Sequence, residues 1–209
     1  EWFINYEGGF TKRGLIGQIS IIITSIFDLN LRFVIFLFQS TIFLIYFTLI
    51  FLFFKNIEVN RVMLLAIFTP IFILYPIAEI EILARKELFI FSFFLIYLLN
   101  KNNKIKNNLI LFGLPVCVLI WEPVVFFFPF ILAIEIINHE TKNFREILFK
   151  RSLIFIPSLI VALYIIFNPL SDQNHELMAS YLKDNFNEKC YMACRLLNTK
   201  STLYQQFNP

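Results

Sequence analysis

Three clusters of charged residues stand out in an otherwise apolar chain, and each has groups that can bind an anion or move a proton. The first is Glu7-Gly8-Gly9-Phe10-Thr11-Lys12-Arg13-Gly14. Its Lys12 and Arg13 are adjacent cations, and an arginine fork suits bidentate contact with phosphate. Glu7 adds a nearby carboxylate. The alternative interpretation is a loop whose cations reach lipid headgroups.

The second cluster holds five charges within nine residues: Glu79, Glu81, Arg85, Lys86 and Glu87. Charges beside apolar segments are costly unless they are paired or solvated. Arg85, Lys86 and Glu87 are therefore candidate site residues. The alternative is a solvated loop with local ion pairs.

The third candidate is Glu122, which lies between Trp121 and Pro123 inside a long apolar run. A carboxylate at membrane depth is a functional hypothesis by default, and the adjacent proline opens the helix there. The alternative is a residue that reaches water at a turn between two thin spans.

The elements that position these clusters are long apolar segments. Residues 31–54 contain a single charge, Arg32, and about 20 apolar residues of helix cross a bilayer. Further apolar segments cover 61–78, 88–100, 109–137 and 152–168. With 58% hydrophobic residues and a mean hydropathy of +0.72, the composition predicts an all-α, multi-pass membrane protein rather than a soluble domain.

Other classes of function receive no support from the chain. The net charge of +3 is too small to indicate nucleic-acid binding. His139 and His175 each lack a second histidine, and there is no phosphate-cradling glycine loop, so we expect neither a metal nor a cofactor. No signal peptide is visible. Because the chain opens without Met, we expect a piece of a larger protein.

The segment 14–28 has the pattern of a helix lying in the membrane interface. Gly14, Gly17, Gln18, Thr24, Ser25 and Asp28 form one polar or small stripe. We predict that Gln18 and Ser25 face water. The alternative is an ordinary short transmembrane helix.

Basic residues orient the spans. The run 109–137 would be about 43 Å long as one helix, too long for a straight crossing, and Trp121-Glu122-Pro123 interrupts it. We therefore divide the run into two halves, 109–120 and 124–137. These halves are either two thin transmembrane spans or a re-entrant pair of helices. The loops 55–61, 101–106 and 138–151 then share the cytoplasmic side, as the positive-inside rule prefers. These loops hold nine cations, namely Lys55, Arg61, Lys101, Lys104, Lys106, Lys142, Arg145, Lys150 and Arg151.

In this topology, the N-terminal loop in 1–30, the region around 79–87, the turn at 121–123 and the polar tail 169–209 all lie outside the cell. Cys190 and Cys194 in the tail are four residues apart, which is compatible with a disulfide or with a shared helix face. Cys117 lies within a span and is expected to be a small core residue.

The segment Gly9-Phe10-Thr11-Lys12-Arg13-Gly14-Leu15-Ile16-Gly17 resembles a motif of bacterial multi-pass surface-polysaccharide assembly proteins, which are similar to membrane glycosyltransferases of the GT-C type and to O-antigen polymerases. Ala84-Arg85-Lys86-Glu87-Leu88 resembles a second motif of that group. Ile120-Trp121-Glu122-Pro123 resembles a third, in which Trp121 replaces the usual histidine.

The apolar segments predict a bundle of about five to seven transmembrane helices. The resemblance implies sugar transfer from a polyprenyl-phosphate-linked donor at the outer face of the bacterial inner membrane. Lys12, Arg13, Arg85 and Lys86 would bind the phosphate, with Glu87 beside them. Glu7 or Glu122 would act as general base. The alternatives are a lipid-linked oligosaccharide flippase or transporter, which would act without bond chemistry, and a non-catalytic membrane subunit.

The topology predicts which single cysteines an impermeant thiol reagent reaches from outside. In a background without native cysteines, His175→Cys should be labelled, whereas Asn103→Cys and Asn143→Cys should react only after permeabilisation. Labelling of position 143 from outside would mean that 109–137 crosses the bilayer once, and the predicted parity would be wrong.

Overall fold

The computed structural model describes residues 2–55, 85–138, 149, 152–168 and 170–189, and within these ranges every regular element is helical. No strand occurs there. The elements are α1 Leu15–Phe27, α2 Leu31–Lys55, α3 Glu87–Leu99, α4 Asn103–Asn108, a π-helix Leu109–Gly113, α5 Leu114–Ile120, a 3₁₀ helix Glu122–Phe127, α6 Phe128–Asn138, α7 Ile156–Phe167 and α8 Asp172–Phe186.

The chain divides into two compact units. The first comprises residues 1–35 and 110–209, and the second comprises 36–109. In the first unit, α7 packs on α5 and on the 3₁₀ helix, and α1 also contacts α5. The first unit therefore holds two of the three charged clusters, those of Glu7–Gly14 and Glu122.

Among the residues that the structure describes, two helices are long and apolar enough to cross a membrane. They are α2, with 25 residues, and the continuous helical stretch Asn103–Ile120, with 18 residues. At 1.5 Å per residue these are about 38 and 27 Å long, which matches a bilayer core. A third candidate arises if α7 and α8, bent by 99°, form one broken span. Shorter apolar helices cover Leu15–Phe27, Glu87–Leu99 and Glu122–Ile134.

The all-helical, membrane-type fold is thus confirmed at the level of two to three candidate spans. The predicted count of five to seven is not reached by the described residues. The predicted segment 61–78 lies outside them, as do Glu79, Glu81, His139, Cys190 and Cys194.

The second candidate span begins earlier than the sequence indicated. Residues 103–106 were expected in a loop, but they form the first turn of α4, because the Asn102 side chain accepts a hydrogen bond from the Lys104 N–H at 2.9 Å. The π-helical turn follows, just before Pro115. Proline lacks an N–H and its ring crowds the carbonyl four residues back, at Leu111, so a widened turn accommodates it.

The predicted interruption of the 109–137 run is confirmed. Helix α5 ends at Ile120, Trp121 is extended with φ −155° and ψ 104°, and a 3₁₀ helix starts at Glu122. The interruption follows from Pro123, which disfavours α-helical backbone in the residue before it. Glu122 is therefore placed at a break between two helices rather than within one.

Helix α1 matches the predicted segment to within one residue at each end, but its faces are used differently. Gly14, Gly17 and Thr24 of the stripe turn toward the protein, whereas Ile22, Ile26 and Phe27 are exposed. The buried residues are Ile16, Gly17, Ser20, Ile21 and Thr24. Ser25 is exposed as predicted, but Gln18 is half-buried and bonded to the N-terminal loop.

Two glycines allow the N-terminal loop, residues 2–14, to dock closely. A Cβ on Gly17 would lie 1.9 Å from the Ile4 carbonyl oxygen, and a Cβ on Gly8 would lie 1.9 Å from the Asn174 carbonyl oxygen. Ile4 also packs in a buried cluster with Leu170 and Met178. The loop is therefore held between α1 and α8, so the first part of the polar tail is packed against the protein.

We expect Gly17→Ala to destabilise the first unit by about 1–3 kcal/mol, because the added methyl must displace the Ile4 backbone. Thermal unfolding in detergent measures the loss. Ser25→Ala, on the exposed side of the same helix, is the matched control. Equal stability of both variants would contradict the close docking of the loop.

Candidate membrane-surface site

Arg13 and Glu122, which are 109 positions apart, form a bidentate ion pair. Arg13 Nε donates to Glu122 Oε2 at 2.8 Å, and Arg13 Nη2 donates to Glu122 Oε1 at 2.8 Å. About a fifth of each side chain is exposed, 23% and 22% respectively. Two parallel charge-assisted bonds in a partly dehydrated place are the strong form of this contact. The pair joins the first and third charged clusters.

The backbone around each partner explains how they meet. Arg13 has φ +63°, a left-handed conformation that non-glycine residues rarely adopt. It directly precedes Gly14, the N-cap of α1. Glu122 is the first residue after the extended Trp121. A strained turn on one side and a helix break on the other thus hold the two side chains together.

The pair limits the roles that the sequence suggested for its members. Arg13 was expected to bind phosphate and Glu122 was a candidate base. In this structure the guanidinium fork and the carboxylate satisfy each other, so either role requires the pair to open. The observed arrangement is that of a structural clasp between the loop and the helix break.

Glu7 is the exposed carboxylate of the cluster, and the protein holds it from two sides. Its backbone N–H donates to Asn5 Oδ1 at 2.9 Å, and Asn5 is fully buried. Its side-chain Oε1 accepts from Gln18 Nε2 at 2.9 Å. Gln18 Oε1 in turn accepts from the Tyr6 N–H at 2.8 Å. Glu7 is thus positioned yet open to solvent, which a proton acceptor needs.

Tyrosines surround this carboxylate. Burial raises the pKa of Tyr6 to about 12. The pKa of Tyr181, on the polar helix α8, is raised by burial and also by the negative charge of Glu7. Both hydroxyls therefore stay protonated at neutral pH. Tyr6 stacks on Phe10 with 5.2 Å between ring centroids, and Phe10 meets the edge of Tyr164 on α7 at 5.1 Å.

Lys12 lies in the same loop and is half-exposed. No ion pair of its ammonium group is seen within the described ranges. It is therefore the cation of the first cluster that can reach an anionic ligand without breaking the Arg13–Glu122 pair.

The second cluster belongs to the second unit. Arg85 Nη2 lies 2.8 Å from Glu87 Oε1, so the local ion pair considered for this cluster is present. Lys86 is fully buried and precedes Glu87, the first residue of α3, where a carboxylate is favoured by the helix dipole. The other carboxylate oxygen of Glu87, Oε2, is buried without a hydrogen-bond partner. The substrate role predicted for Arg85, Lys86 and Glu87 stays a prediction.

Sequence reasoning missed three residues of the first unit. Gln18 was assigned to water, and Tyr181 and Glu188 were given no role. Glu188 is buried and forms a bidentate pair with Arg32, with Arg32 Nη2 2.9 Å from Glu188 Oε2. The left-handed Asn187 that ends α8 turns Glu188 into this position. A single sequence has no signal that links positions 32 and 188.

Comparison with known proteins identifies no relative: no family, curated protein or solved structure matches this chain. Within the described residues, no three His, Cys, Asp or Glu side chains are grouped so as to hold a metal ion. The chemistry of the site must therefore be argued from its own residues.

A double-mutant cycle on Arg13→Ala and Glu122→Gln should give a coupling energy of about 1–3 kcal/mol in the free energy of unfolding in detergent. Either single substitution already breaks the ion pair, so the second substitution should lower the free energy of unfolding little further. Arg13→Lys should fall between the wild type and Arg13→Ala, because lysine keeps the charge without the fork. Strictly additive single effects would show that the pair does not form in the folded protein.

Proposed function

We propose that this chain is part of a multi-pass bacterial inner-membrane enzyme, with five to seven spans and α1 at the interface, that transfers sugars from a polyprenyl-phosphate-linked donor during surface-polysaccharide assembly. The observation that carries the proposal is Glu7: an exposed carboxylate held by Gln18 at the start of an apolar helix. In that role Glu7 takes the proton of the acceptor hydroxyl as it attacks the sugar.

Membrane helices suit such a reaction because the donor's polyprenyl tail stays in lipid. The exposed apolar residues Ile22, Ile26 and Phe27 of α1 lie on the same helix as Gln18, the partner of Glu7. We assign phosphate contact to Lys12, the half-exposed cation of the loop.

A second candidate is a non-catalytic membrane subunit or a lipid-linked oligosaccharide flippase. The closed Arg13–Glu122 pair favours it, because two of the residues expected to act on substrate are engaged with each other. Under this alternative the charged loop stabilises the fold, and loss of the Glu7 charge has no effect on bond formation.

The two candidates differ in the effect of Glu7→Gln. If Glu7 is the base, surface-polymer formation in cells should fall about 100- to 10,000-fold, because an amide accepts no proton from the hydroxyl. Polymer is scored per amount of protein in the membrane fraction. Asp184→Asn, an exposed carboxylate on α8, is the matched control and should leave polymer unchanged.

Normal polymer from well-expressed Glu7→Gln would refute the transferase proposal and leave the subunit or flippase in place. Lys12→Ala should lower polymer about tenfold or more through a weaker phosphate contact, since a charge-assisted hydrogen bond contributes about 1.5–3 kcal/mol. Lys183→Ala, an exposed cation on α8, controls for the loss of a positive charge.

A further inference from the structure

Gln18 makes two hydrogen bonds with opposite polarity, and together they determine which way its amide points. The Tyr6 backbone N–H is a donor only, so the group it meets at 2.8 Å must be the amide oxygen of Gln18. The amide nitrogen is then the group that faces Glu7 Oε1 at 2.9 Å. The direction of the hydrogen bond to Glu7 is therefore set by the backbone.

The surrounding fold keeps Gln18 in this place. Gln18 lies in the first turn of α1, where its N–H donates to the Gly14 carbonyl at 2.9 Å. The neighbouring Gly17 lets the Ile4 backbone approach closely, which brings Tyr6 within reach of the Gln18 side chain. The amide is thus attached to a helix on one side and to the loop backbone on the other.

We infer that Gln18 is the positioning residue for the Glu7 carboxylate: its amide N–H occupies Oε1 and leaves Oε2 to face the acceptor hydroxyl. This inference rests on the proposed function of Glu7 as base. In this role Gln18 acts through Glu7 and not by contact with substrate. Its bond also restricts the rotation of a side chain that is otherwise exposed.

Gln18→Glu separates the two bonds. The new carboxylate still accepts from the Tyr6 N–H, but when ionised it cannot donate to Glu7. We expect polymer formation to fall about 10- to 100-fold at neutral pH, at normal protein level, in line with loss of one hydrogen bond to a charged group. The apolar Gln18→Met, which lacks both bonds, should lose at least as much.

The pH of the medium gives a readout that a purely structural role would not move. In Gln18→Glu two carboxyl groups face each other, and in acid they share one proton, whose O–H donates as the amide did. Activity relative to wild type should therefore rise as the medium is acidified. For Gln18→Met the activity relative to wild type should not change with the pH of the medium. Tyr6 and Tyr181 beside Glu7 stay protonated over this range. His175 follows Asn174, which packs on Gly8, and it is present in wild type and in both variants, so the activity ratio removes its contribution.

The outcomes distinguish the inference from the function on which it rests. Normal polymer from Glu7→Gln overturns both. If Glu7→Gln is inactive and Gln18→Glu forms normal polymer, the role of Gln18 is overturned and that of Glu7 stands. The role of Gln18 is also overturned if Gln18→Glu has low activity that does not rise in acid. If Gln18→Glu does not accumulate in the membrane, Gln18→Met serves as the test. Wild-type polymer per amount of Gln18→Met protein would overturn the inference.

Discussion

The bidentate contact between Arg13 and Glu122 is the constraint on which the first unit depends. An apolar helix that stops at Ile120 exposes backbone groups and a carboxylate at the edge of a membrane-type segment, and a lone charge there is costly. The guanidinium fork removes that cost by pairing with both oxygens of Glu122. In doing so it ties the N-terminal loop to the break, and the loop in turn holds Glu7.

The loop is packed on two further sides, against α1 and against α8. Glycines at positions 8 and 17 let backbones approach where any side chain would collide, and Met178 with Leu170 closes over Ile4. A loop of this kind does not sample lipid headgroups freely, as a run of surface cations would. It holds the Glu7 carboxylate in a defined place, as the proposed reaction on a lipid-linked substrate requires.

Much of the fold was predictable because apolar length and proline are local signals. The helix over 31–54, the short helix at 14–28 and the break at Trp121 all follow from them. The start of the second span at Asn103 was missed. The polar composition of 103–106 predicts a loop, but the Asn102 side chain caps a helix there. The site was only half predictable. Residue types indicated Glu7, Arg13 and Glu122 as site residues. The pairing of Arg13 with Glu122 and of Arg32 with Glu188 could not be predicted, because it depends on tertiary packing and not on the spacing of residues along the chain.

The most direct test of this account is whether the loop and the helix break touch in the native membrane. Lys12→Cys and Trp121→Cys, which flank the Arg13–Glu122 pair and leave it intact, should be joined by a short flexible thiol cross-linker in a chain without its native cysteines, and peptide mass analysis should recover the 12–121 linkage. Either cysteine alone should give only the singly modified peptide. If both positions react with the reagent yet no 12–121 linkage forms, the loop does not rest on the helix break.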